Sequence, residues 1–238
     1  MMSEKKRLGG RLVALYLLIW YLSVQLHEAG HYGVAKLLGL GFCLGFNRWS
    51  IVGPGSDWQK LATAAAGPLV TLALAAIGLL LVYRRPGKIE SRIGILLITG
   101  NSVTALLNHL LYFVSGSQGD ERWIAHYLEA PEALVRAPFV VFYIAALFLG
   151  FKAGEAGLRK PKWIGILFLL PMALSGAVAG LDVLAWDEMK QGGFLFQPVG
   201  GILAIVLIVN VLAVLALLYT LYKVKEASAI TNRQAEQT

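Results

Sequence analysis

His27 and His31 stand four residues apart with Glu28 beside the first, in an apolar run from Leu12 to about Leu40. On a helix that spacing sets both imidazoles on one face, one turn apart. Two imidazoles so placed can hold one zinc ion, and the neighbouring glutamate can act as base toward a water activated there. A histidine in a span is ordinarily packed or hydrogen-bonded, and a buried glutamate is ordinarily neutralised by a partner. The i, i+4 pair with Glu28 alongside favours the metal, because an ionisable cluster within a membrane span is costly and marks function.

Such a site needs a third ligand. Arg11 marks the inner edge of the run, and His27 follows 16 residues later, roughly 24 Å along a helix. In a hydrocarbon core of about 30 Å the pair therefore lies toward the outer face. Asp120 is the leading candidate: it follows the outer end of a later span, offers oxygen, and has Gly119 before it. Asp182 is second, and His109 is third because imidazole also suits zinc. Asn108, beside His109, is a candidate to stabilise an oxyanion or hold substrate backbone. Its ordinary alternative is a hydrogen bond between helices.

The elements that must position these residues are spans. The chain has 238 residues, 57% hydrophobic and 15% charged, with a mean hydropathy of +0.66. That composition predicts an all-α, polytopic membrane protein of about six transmembrane helices, near residues 12–38, 61–83, 93–113, 134–151, 163–181 and 199–222. With the N-terminus inside, 15 of the 21 basic residues fall in the inner segments, so both termini are expected to be cytoplasmic. The +7 charge is spread over four inner segments and forms no basic stripe, which argues against nucleic acid. One cysteine, Cys43, excludes an intrachain disulfide and a cysteine-rich metal site. Lys5-Lys6-Arg7 before an apolar run mimics a signal peptide, but the run is too long and is expected to be retained.

Between the first two spans, residues 39–57 are rich in glycine and aromatics. They predict a short hairpin or re-entrant segment at the interface, with Trp49 and Trp58 as anchors; an irregular amphipathic loop is the alternative. Ala64-Ala65-Ala66-Gly67-Pro68 reads by itself as close helix packing, with one backbone carbonyl freed by Pro68. Trp123 to Ala130 predicts a short surface helix ended by Pro131. The chain is expected to form one integral-membrane domain over 1–225, with a core at 12–125 that holds the candidate site, additional spans at 134–222 and a disordered cytoplasmic tail at 226–238.

His27-Glu28-Ala29-Gly30-His31 in a span, followed one span later by Ala66-Gly67-Pro68, resembles the site-2 protease family of intramembrane zinc metalloproteases. That family takes its third ligand, an Asp usually followed by Gly, from about two spans after the His pair, where Asp120 falls. The resemblance covers roughly residues 20–125. This chain departs from the pattern in reading Gly119-Asp120-Glu121, in lacking an upstream Asn-x-x-Pro, and in carrying Thr71 where Asn is frequent. The family's site commonly lies toward the cytosol, whereas the charge pattern here sets it outward. The resemblance implies a zinc endopeptidase with His27, His31 and Asp120 as ligands and Glu28 as catalytic base. Its partners would be membrane lipid, a transmembrane or membrane-proximal protein substrate and a regulatory membrane protein. Two alternatives stay open: an inactive relative that binds metal or regulates, and a small ion or metal transporter, against which stands the lack of an internal repeat.

Overall fold

A computed structural model describes residues 4–47, 49–86, 89–115, 119–154 and 161–236. Its spine is a set of helices: α1 (Glu4–Leu37), α2 (Asp57–Arg84), α3 (Ile89–Ser115), the short α4 (Asp120–Tyr127), α5 (Glu132–Ala153), α6 (Pro161–Lys190) and α7 (Ala204–Glu236). All but α4 contain a segment long and apolar enough to cross a bilayer, six in all. The chain is thus an all-α, multi-pass membrane protein.

α1 stops where its sequence allows. Gly39 takes a left-handed φ of 73°, open to glycine without a Cβ clash. The Gly39 amide donates to the Lys36 carbonyl at 3.1 Å and the Leu40 amide to the Ala35 carbonyl at 2.9 Å. This is a Schellman termination, and Leu40 folds back into one apolar cluster with Ala35. The reversal feeds directly into β1 (Gly41–Leu44) and β2 (Trp49–Val52), an antiparallel hairpin with Leu44 opposite Trp49. The hairpin expected after the first span is therefore present.

A second hairpin was not foreseen. The sixth span was expected to begin at 199, but Pro198–Val199 (β3) and Ile202–Leu203 (β4) pair across Gly200-Gly201, whose φ values are 63° and 96°. Two successive positive φ values make a primed turn, which Gly-Gly favours. β4 then pairs parallel with β1, giving a four-stranded sheet in the order β2-β1-β4-β3. Tyr32 of α1 donates its hydroxyl to the Gly200 carbonyl at 2.9 Å, fixing that turn to the first helix.

Two further boundaries differ from expectation. α6 continues to Lys190, so Asp182 lies within the helix rather than at its end. α7 continues to Glu236, into the stretch read from composition as disordered. The segment after Lys225 lacks periodicity but is rich in Ala, Glu and Gln, which favour helix, and extending an existing helix needs no new nucleus.

The largest buried cluster is centred on α1, α2 and α3. Leu12, Leu15, Tyr16 and Ile19 of α1 pack on Val82, Ile95, Leu96 and Ile98, and on Ala146 and Leu167 from α5 and α6. Small residues draw the helices together: a Cβ on Gly30 of α1 would lie 3.0 Å from the Ala66 carbonyl oxygen of α2. This close approach is the usual way helices associate where lipid offers no hydrophobic drive. It places the His31 face of α1 directly on the Ala-Gly-Pro stretch of α2.

Candidate metal centre

His27, His31 and Asp120 converge, each presenting one ligand atom. The two Nε2 atoms are 3.2 Å apart, and Asp120 Oδ2 lies 2.9 Å from His27 Nε2 and 3.4 Å from His31 Nε2. Two vertices of a tetrahedral site with bonds of about 2.0–2.1 Å are separated by roughly 3.3–3.4 Å. The triangle is somewhat smaller than one face of such a tetrahedron and leaves its fourth vertex to another group. Glu28 is buried at 3% exposure, and its Oε2 has no hydrogen-bond partner. Three convergent donors and an orphaned buried carboxylate oxygen are what a metal site with an adjacent base would contain. The residues present therefore fit a bound ion.

The ring orientations are fixed from α2. His31 Nδ1 lies 2.7 Å from the Thr63 carbonyl, which can only accept, so Nδ1 carries the proton and Nε2 is left bare. His27 Nδ1 lies 2.8 Å from Thr71 Oγ1, and that hydroxyl can pass its own proton to the Gly67 carbonyl at 3.4 Å. Both imidazoles thus turn a free Nε2 toward Asp120. Orientation of metal-ligating histidines by such outer hydrogen bonds is general and raises their basicity. Gly67 is indispensable to the fit: a Cβ there would collide with His31 Nε2 and come 2.7 Å from His27 Nε2. The stretch read from sequence as plain packing is the floor of the site.

β2 supplies a wall. The Trp49 ring stacks on His31, with centroids 4.8 Å apart, and Phe42 also stacks on Trp49, with centroids 5.7 Å apart. Trp49 Nε1 donates to Asp120 Oδ1 at 3.1 Å. That bond occupies one carboxylate oxygen and presents the other to the histidines. Trp49 is therefore bound into the site; the interface anchor expected of it is better matched by Trp58, which is 60% exposed. The Glu121 carboxyl is pushed up, first by burial and then by the neighbouring Asp120.

Access is one-sided. The His31 side chain is fully enclosed, whereas His27 is 22% and Asp120 19% exposed. Water or substrate therefore reaches the triad along the His27–Asp120 edge.

The two other candidate ligands are engaged elsewhere. Asp182 is buried on α6 and accepts the backbone N–H groups of Phe46 at 2.7 Å and Asn47 at 3.4 Å, in the turn between β1 and β2. His109 is buried beside Arg136 of α5, with Nδ1 3.1 Å from its Nη1. Asn108 stands outside the triad. It is exposed and lines a cleft of about 310 Å³ between α1, α3 and α6, with Trp20, Asn47 and Met172.

Sequence reasoning missed the supports. Gln25, two residues before His27, donates to the Phe46 carbonyl at 2.6 Å and accepts from Asn210 of α7 at 3.2 Å, and Asn210 in turn accepts from Tyr21 at 2.9 Å. A Gln and an Asn within spans are signals in their own right, but nothing local pairs residues 185 positions apart. Comparison with protein-family models, with curated proteins and with solved structures gives no match to this chain.

Proposed function

We propose that this protein is a zinc-dependent intramembrane endopeptidase of the site-2 protease type. It would hydrolyse peptide bonds of membrane-embedded or membrane-proximal substrates. The observation that carries the reading is the triangle of His27 Nε2, His31 Nε2 and Asp120 Oδ2, with buried Glu28 alongside. A His₂–carboxylate set with an open fourth position is the donor arrangement of hydrolytic zinc sites.

Zinc held there would polarise the scissile carbonyl and make water acidic enough to ionise near neutral pH. Glu28 takes the proton of the attacking water on its unpartnered oxygen and delivers it to the leaving amine as the C–N bond breaks, so one water is consumed per peptide bond. Thr63 and Thr71 hold the imidazoles in the tautomer that leaves Nε2 free to ligate. Trp49 excludes water from the His31 side and steers Asp120. β2 lies at one end of the four-stranded order, so its outer edge has no strand partner among the described residues. An extended substrate segment adds there by main-chain hydrogen bonds, beside the open His27–Asp120 edge. The bias of basic residues supports cytoplasmic termini and a site toward the opposite face.

The test is cleavage of single-span peptides, with helices weakened by Gly or Pro, in zinc-loaded proteoliposomes. Wild type is expected to cut at least one, and Glu28→Gln to abolish cutting while keeping its zinc. Zinc retained by both without Glu28-dependent cleavage would favour the inactive relative. Metal uptake in place of cleavage would favour the transporter.

A further inference from the structure

We propose that Arg136 is a positioning residue for the third ligand: acting through Glu121, it fixes the first turn of α4 and so aims the Asp120 carboxylate at the imidazole pair. The inference rests on the reading of Asp120 as a ligand.

The problem it solves is mechanical. Asp120 is the first residue of an eight-residue helix whose N-cap, Gly119, provides no side-chain cap. Helices that short are marginal unless packed, yet a ligand has to be held within about 0.5 Å of its working position. Ile124 and Ala125 are the buried residues of α4, and both lie in its second turn. The first turn is held by Glu121. Its Oε2 lies 3.6 Å from Arg136 Nη1 and its Oε1 lies 3.8 Å from His109 Nε2.

Arg136 is only 3% exposed. Its Nη2 and Nε donate to Glu132 Oε1 at 2.6 and 2.8 Å, one turn earlier on α5. Nη1 faces His109 Nδ1 at 3.1 Å. A guanidinium only donates, so Nδ1 accepts and the ring proton sits on Nε2, facing Glu121. Glu121 therefore sits between nitrogens of two different helices, α5 and α3, at ion-pair rather than hydrogen-bond distance. Gly119 runs across the same guanidinium: a Cβ there would lie 3.6 Å from Arg136 Nη2. Burying a guanidinium is costly, and apolar packing would hold the helices as well. What apolar packing would not supply is a fixed charge: the fork closes on Glu132 and His109, and this holds the guanidinium rigidly beside Glu121, the residue next to the ligand.

The experiment is competition for zinc between a chelator and the purified, detergent-solubilised full chain. The variants are Arg136→Lys, the double variant Arg136→Met with Glu121→Gln, Asp120→Ala, and Ala146→Val as a control for loosened α5 packing. Melting of the metal-free proteins is followed in parallel. The double variant removes the Arg136 and Glu121 charges together, and the third partner, Glu132, is 19% exposed and keeps access to solvent. The double variant is expected to bind zinc 10- to 100-fold more weakly than wild type, and Arg136→Lys, which keeps the charge without the fork, to fall between. Wild-type affinity in the double variant, with zinc lost in Asp120→Ala, would overturn the role of Arg136 and leave the ligand reading intact. Zinc kept at full affinity by Asp120→Ala would overturn the ligand reading itself. An equal loss in Ala146→Val at matched melting temperature would assign the effect to general loosening and overturn the proposal. If the double variant does not fold, Arg136→Lys decides: weakened binding supports the proposal and wild-type binding contradicts it.

Discussion

In α1, α2 and α3 between 39% and 56% of the most apolar window is buried inside the chain, against 17% in α6 and 11% in α7. Burial does not follow hydropathy, for α7 is the most apolar of the spans and α1 and α3 are the least. A helix face turned to lipid has to be apolar throughout, whereas one turned to protein admits small and polar groups that pack and hydrogen-bond. The histidine pair is accordingly carried by α1, one of the two least apolar spans. The last two spans meet the front half through a second apolar cluster, where Trp20, Cys43 and Phe46 pack on Val178, Ala185 and Val206, and through polar ties: Tyr16 to the Leu167 carbonyl, Asp182 to the β1–β2 turn, and Asn210 to Gln25 and Tyr21.

Substitutions at either end of this contrast can break it. The largest effect is expected from His31→Ala in the enclosed corner of the site, which should remove stoichiometric zinc and all metal-dependent hydrolysis, read by elemental analysis and peptide cleavage. Leu15→Ala, at a fully buried core position, should cost about 2–5 kcal/mol in unfolding free energy. A cost near zero would mean that α1 is not part of a packed core. Asp182→Ala sharpens the role of the ties. It strips the acceptor from two backbone amides and should cost about 1–3 kcal/mol, lowering the melting temperature while zinc still binds when supplied in excess. Trp49→Phe keeps the stack on His31 but loses the bond to Asp120, and should weaken zinc binding by about tenfold in the same chelator competition. Leu212→Ala, 59% exposed on α7, should stay within about 0.5 kcal/mol of wild type. A cost comparable to that of Leu15→Ala would show that the back half is covered by protein rather than lipid.

What was legible in the sequence was local. His27, Glu28 and His31 announce themselves because i, i+4 spacing on a helix settles their relation without any tertiary knowledge. Asp120 was reachable because the run of spans returns it to the same level, and the β1–β2 hairpin because Gly39 and the aromatic stretch interrupt the apolar pattern. The supports were not legible, because they join distant residues: Trp49 to Asp120, His109 to Arg136, Asp182 to Phe46. Asp182 and His109 looked like rival ligands for the same reason. Composition shows a polar group at the right depth but not which neighbour satisfies it. The β3–β4 turn had a signal in Gly200-Gly201, hidden by the apolar run that follows.

The most direct test of the central claim is the zinc content of the protein purified without chelator, as wild type and as His27→Ala, Asp120→Ala and Asp182→Ala. One zinc per chain in wild type and in Asp182→Ala, with none in the other two, is the expected result. Full zinc in Asp120→Ala, or none in wild type under zinc-replete conditions, would contradict it.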